Sequence, residues 1–148
     1  MTLQETLTAE LKAAMLSRNA DRTATLRLIK SALGYVMIER KTEQLPDADV
    51  TVVLQREAKR RRDACEEYER GGRPELAAKE RAECAIIEEF LPKALSAEEL
   101  ESLVREVIAA SGATSKKDMG LVMKAAQAKA AGRAEGRALS AVVSRLLP

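Results

Sequence analysis

The sequence predicts an all-α fold, on three observations. Of its 148 residues 46% are hydrophobic, yet only Phe90, Tyr35 and Tyr68 are aromatic. The core must then be Leu, Val, Ile, Met and Ala, which suits helix-on-helix packing. Charged residues make up 32% of the chain, as expected of amphipathic helices with solvated outer faces. Apolar positions also recur every third or fourth residue along the chain, the period of a helix. The length allows one domain or two small ones.

Each element has its own signal. Thr2-Leu3-Gln4-Glu5 reads as a capping box, in which a hydroxyl and a carboxylate satisfy N–H groups left over at a helix start. Leu3, Leu7, Leu11 and Met15 then form one stripe of a helix running to about Arg18. Asn19-Ala20-Asp21 breaks and restarts the chain, and a second helix over 21–41 carries Leu26, Ile29, Leu33, Val36 and Met37 inward. Leu45-Pro46-Asp47 reads as a stop followed by a new cap.

The third helix, 48–70, is the longest, with Val50, Val53, Leu54, Ala58, Arg61, Ala64, Cys65 and Tyr68 along one side and Gly71-Gly72 at its end. Pro74 restarts the chain at the first helical position, where its missing N–H costs nothing. The fourth helix runs to about Phe90 and is expected to pack against the third as an antiparallel hairpin. Arg61 lies on the apolar stripe, so a pair with Glu80 or Glu83 of the fourth helix is expected to fix the hairpin's register. The rest of the run Lys59-Arg60-Arg61-Arg62 fans around the helix and is read as pairing with helical acids, not as one basic patch.

Leu91-Pro92-Lys93-Ala94-Leu95 marks a boundary, giving an N-terminal helical bundle over 1–92 and a three-helix subdomain over 96–148. Ser96-Ala97-Glu98-Glu99 is a second capping box. Leu100, Leu103, Val104, Val107 and Ile108 face inward behind it, and Gly112 stands as the C-terminal cap. Two short helices over 115–130 and 136–147 complete the chain, with Met119, Val122 and Met123, then Leu139, Val142, Val143 and Leu146, inward.

Little in the sequence resembles a catalytic centre. There is no histidine, the common general base and metal ligand. No glycine-rich phosphate loop is present, and Cys65 and Cys84 fall on apolar faces, as small buried thiols do. Glu66/Glu67 and Glu88/Glu89 are adjacent on helices and point about 100° apart, as solvated faces do. No cofactor and no metal are expected. No apolar run reaches the roughly 18 residues of a membrane span, the start lacks the order of a signal peptide, and two cysteines are too few for a disulfide framework. A soluble, cytoplasmic protein is the expectation.

Charge is where a partner shows. The net charge is +2, but from Gly112 to Pro148 seven basic residues face two acidic ones, leaving +5 on the tail and −3 on the rest. Lys116 and Lys117 are expected in the first turn of a helix, where the macrodipole disfavours cations unless an anion joins them. Arg133 and Arg137 flank the Gly132/Gly136 turn before the last helix, and a guanidinium holds a phosphate through two hydrogen bonds. With Lys124, these five residues are the candidate nucleic-acid contacts. So few aromatic residues leave base stacking largely unavailable, and recognition is expected to be of backbone and shape. The competing reading is an adaptor that docks on a partner enzyme through Met119, Leu121 and Met123, though both methionines are also expected in the small C-terminal core.

Several segments together resemble the YqeY family: Leu26-Arg27-Leu28-Ile29-Lys30-Ser31-Ala32-Leu33, Arg60-Arg61-Arg62-Asp63 with Tyr68, Leu91-Pro92 to Leu95-Ser96, Ser115-Lys116-Lys117-Asp118-Met119-Gly120 with Val122-Met123, and Gly132-Arg133-Ala134-Glu135-Gly136. The resemblance spans essentially the whole chain. It implies a larger N-terminal bundle and a three-helix C-terminal unit like the tail domain of the GatB subunit of glutamine-dependent tRNA amidotransferases. There the tail helps hold tRNA while other domains transfer the amide. The partners it implies are tRNA or another structured RNA, and an amidotransferase or other protein. It also attaches a carbon–nitrogen ligase label, with glutamine as amido donor, for which these residues offer no ATP or glutamine site. Two positions depart from the pattern: Ala128 stands where a proline is usual, and Ala131 where a lysine is usual before the glycine turn.

Overall fold

Helical spacing of Leu, Ile and Val is realised as seven α-helices and no strand in the computed structural model, which describes residues 1–148. They are α1 Leu3–Leu16, α2 Ala20–Arg40, α3 Asp47–Arg70, α4 Pro74–Glu88, α5 Ala97–Ser111, α6 Met119–Ala130 and α7 Gly136–Leu146. A three-residue 3-10 turn, Lys116–Asp118, precedes α6. The helices form two units, Met1–Leu91 and Pro92–Pro148. No helix is long and apolar enough to cross a membrane.

The first unit buries Leu7, Leu11 and Ala14 of α1 against Leu26, Ile29 and Leu33 of α2, Val50, Val53, Leu54 and Ala58 of α3, and Cys84 and Ile87 of α4. Each large apolar side chain contributes about 1.5–3 kcal/mol when fully buried. The capping box at the start of α1 forms in full: the Glu5 N–H donates to Thr2 Oγ1 and the Thr2 N–H to Glu5 Oε2, each at 3.1 Å.

Asp47 does not act as the expected cap. Pro46 holds the cap position of α3 with no side-chain bond. The Asp47 carboxylate instead accepts from the Leu3 N–H at 2.9 Å. With Gln4 Oε1 accepting from the Leu45 N–H at 2.9 Å, the entry to α3 is fastened to the start of α1.

The α3–α4 hairpin is antiparallel, as its cross-helix pairs show. Arg62 meets Glu88 at 3.1 Å, while Cys65, one turn further along α3, meets Arg81, about two turns earlier in α4. Arg61, 8% exposed, does pair with Glu83, at 3.2 Å. It also takes Glu57 of its own helix at 2.8 Å, so two carboxylates enclose one guanidinium. Arg60 pairs with Glu57 as well, in line with pairing in place of a basic patch. At the start of α2, Arg22 bridges Glu10 and Glu89 and lies 5.7 Å from the Phe90 ring centre, joining α1, α2 and the end of α4. Its own pKa is raised, chiefly by the hydrogen bond to Glu89.

The second unit packs Leu100, Val104 and Val107 of α5 against Val122, Ala126 and Ala130 of α6 and Leu139 and Val143 of α7, with Leu147 closing the end. Met119 and Met123 pack against this core. Gly112 caps α5 at φ +70°, a conformation glycine adopts without the Cβ clash other residues incur. The second capping box is only half made. Ser96 Oγ accepts from the Glu99 N–H at 3.1 Å, but the Glu99 carboxylate turns to Arg133 at 3.5 Å.

Candidate functional site

The seven basic residues of the tail divide into two sets. Three are held by acids of α5: Lys129 by Glu106, Arg133 by Glu99, and Arg145 by Glu101. The other four, Lys116, Lys117, Lys124 and Arg137, are exposed and have no acidic partner within ion-pair distance. Counting the acids of α5, the folded unit Pro92–Pro148 carries nine basic and six acidic side chains, net +3. Lys93, ahead of α5, is the fifth basic residue of the unit outside any ion pair.

The period of α6 sets where these cations sit. Val122, Ala126 and Ala130 line the buried face. At 100° per residue, Lys124 and Leu121 fall on the opposite side, and extending that stripe back leads to Lys117. Gly136, at the start of α7, lies beside the last turn of α6: a Cβ there would meet Gln127 Nε2 at 3.8 Å. Arg137 thus stands near one end of α6, the two lysines of the 3-10 turn at the other, and Lys124 between. From Lys117 to Gln127 the axis advances about 15 Å at 1.5 Å per residue. Lys124 thus lies opposite the core face of α6, with Lys116 and Lys117 in the turn before it and Arg137 at the start of α7 beyond it.

Two expectations about this site change. Lys116 and Lys117 lie in the 3-10 turn ahead of α6, not in an α-helical first turn. The cause is local: Ser115 Oγ accepts from the Lys117 N–H at 3.3 Å, and Asp118 Oδ2 from the Thr114 N–H at 3.1 Å. These bonds tighten the turn and occupy the Lys117 and Thr114 backbone donors. At α7, Arg137 does sit in the first α-helical turn, just after Glu135 at the cap position.

Arg133 has a structural task. Its Nε donates to the Lys93 carbonyl at 2.9 Å, while its own carbonyl accepts from the Leu95 N–H at 2.8 Å. The two bonds pin the segment before α5 to the turn between α6 and α7. The structure thus leaves Lys116, Lys117, Lys124 and Arg137 exposed on the 3-10 turn, α6 and the start of α7, and ties Arg133 to the segment before α5.

Leu121 is 58% exposed in the middle of the basic stripe, whereas Met119 and Met123 are half buried in the core. The unit's glutamates gather on the side formed by α5, where Arg105, Lys129, Arg133 and Arg145 offset them. Leu95, Glu98, Glu99, Ser102, Leu103, Glu106 and Lys129 line a shallow open groove along α5. Arg105, then Arg145, hold the Glu101 carboxyl below the usual carboxylate range. Sequence reasoning missed this gathering; four glutamates within nine residues of α5 were its signal.

Neither cysteine belongs to a reactive centre. Both are buried free thiols. Burial, and then the Glu88 carboxylate, push the Cys84 thiol up to about 11, so it stays protonated at neutral pH and is a poor nucleophile.

Comparison with known proteins accords with this architecture. A family model described as Yqey-like protein matches residues 4–147. An uncharacterized protein of Schizosaccharomyces pombe (strain 972 / ATCC 24843) is 32% identical over 91 residues, which cover 62% of this chain and 73% of the yeast protein. With the family pattern running through both helical units, the chain belongs to the YqeY-like family.

Proposed function

We propose that the C-terminal unit binds structured RNA, with tRNA as the first substrate class, through the outer side of α6 and the start of α7. The observation that carries this reading is the set of four exposed cations, Lys116, Lys117, Lys124 and Arg137, left without acidic partners while α5 neutralises the other three. A row of cations about 15 Å long contacts several successive phosphates of a backbone. No aromatic residue lies in the second unit, so recognition there is of phosphates and shape, not of stacked bases. The resemblance to the GatB tail supports ranking tRNA ahead of other structured RNAs, with an amidotransferase as the proposed protein partner.

The test compares two charge-reversal variants. Lys116→Glu, Lys117→Glu, Lys124→Glu and Arg137→Glu together should abolish tRNA binding at low salt. Lys129→Glu with Arg145→Glu, which alters cations already held by α5, should weaken it far less. Equal effects would remove the proposal.

Docking on a partner enzyme is the second reading, favoured by Leu121 alone. One exposed leucine between lysines is a small apolar patch, because Met119 and Met123 are packed inside. Retention of an amidotransferase after nuclease treatment, lost in Leu121→Asp, would favour it.

A further inference from the structure

Helix α2 is apolar on two opposite faces, and only one of them is used within the chain. Thr25, Leu26, Ile29 and Leu33 are buried in the first unit. On the other side Ala24, Leu28, Ser31, Tyr35 and Ile38 are all exposed, with Leu28 at 51%, Tyr35 at 76% and Ile38 at 78%. Their spacing is four, three, four, three, the alternation of a two-helix seam. A solvated face has no need of that spacing, nor of a tyrosine and an isoleucine near full exposure. The residues about this face are also selective: Asp21 and Lys41, at its two ends, are exposed and have no ion-pair partner in their own chain.

We propose that this seam is a self-association surface, and that its occupant is α2 of a second copy, running antiparallel about a two-fold axis at Ser31. The sequence is complementary to itself in that register and not in a parallel one. Reversing the helix about Ser31 sets small Ala24 against Ile38 of the second copy, and Leu28 against Gly34 of the second copy, one residue from its Tyr35. Ser31 then meets its own counterpart, and two short side chains at the crossing let the backbones approach. The same reversal brings Asp21 to Lys41 of the second copy, twice by symmetry, which is the charge complementarity an isologous interface requires. In a parallel pairing Asp21 would meet Asp21, Lys41 would meet Lys41, and the two tyrosines would coincide. Arg27 falls opposite Tyr35 of the second copy, whose ring face can accept the guanidinium. The surface lies on the first unit, apart from the residues of the proposed RNA contact, so the two proposals stand or fall separately.

Sedimentation equilibrium from low micromolar to millimolar concentration tests this, with circular dichroism to confirm that each variant stays helical. The chain should pass from monomer to dimer, and Tyr35→Glu with Ile38→Glu should weaken the dimer by at least about 100-fold, since each lost contact occurs twice. Register is tested by crosslinking. Ser31→Cys should form an intermolecular disulfide under mild oxidation, because the two copies of position 31 meet at the axis. Ala24→Cys should not, because its copies lie about 20 Å apart along the helices. A monomer at every concentration, a dimer indifferent to the double glutamate variant, or equal crosslinking at positions 24 and 31 would each overturn the proposal.

Discussion

Arg61 shows what one residue does for the larger unit. Its guanidinium sits between Glu57 and Glu83 at 2.8 and 3.2 Å, largely out of water, with no buried side-chain polar atom left unsatisfied. Truncation to Ala would leave two poorly solvated carboxylates facing one another. We expect Arg61→Ala to lower stability by about 3–5 kcal/mol in urea unfolding, and Arg61→Ala with Glu57→Gln and Glu83→Gln to recover part of that loss. Cys84 offers a second check at this scale. With its thiol raised to about 11 by burial and then by Glu88, alkylation of the native protein at Cys84 should be slow at pH 8 and quicken only as pH climbs towards that value. Rapid native labelling at pH 8 would contradict the buried placement. The Arg61–Glu83 pair was legible because a charge on an apolar stripe of a hairpin must find its partner across the turn. The role of Asp47 was not, because its partner, the Leu3 N–H, lies 44 residues away and nothing local marks the contact.

Among elements, α6 is the most informative and the least comfortable. It ends with Ala131 at φ +49°, a left-handed conformation that costs a residue with a Cβ about 1–2 kcal/mol. Ala131→Gly should therefore raise the stability of the second unit by roughly 0.5–1 kcal/mol, less than the full strain because glycine also frees the unfolded chain. Thermal unfolding followed by circular dichroism reads this as a rise of a few degrees, and a fall would show that the cap is not strained. At its other end, α6 begins at Met119, four residues after the start at 115 that the sequence indicates. Periodicity locates Met119, Val122 and Met123 correctly but is silent on the Ser115 hydroxyl, whose short bond to Lys117 converts the first turn to 3-10 geometry. The seven helices themselves were readable from caps, prolines, glycines and spacing, since each such signal acts within a few residues.

For the whole molecule, the division of charge is what the RNA proposal rests on. The tail's excess of seven basic over two acidic residues overstated the field available to a partner, because α5 folds back and takes three of the cations. That pairing is long-range and could not be read from composition. What survives is smaller: four tail cations without acidic partners on the 3-10 turn, α6 and the start of α7, beside an α5 whose glutamates are matched by Arg105, Lys129, Arg133 and Arg145.

The salt dependence of tRNA affinity, measured by fluorescence anisotropy, tests this account most directly. Release of counterions by four phosphate contacts predicts that log K falls with log salt at a slope of about −3. The variant reversing Lys116, Lys117, Lys124 and Arg137 should lose that slope together with the binding. An affinity that stays flat as salt rises, or one with the same slope in that variant, would contradict it.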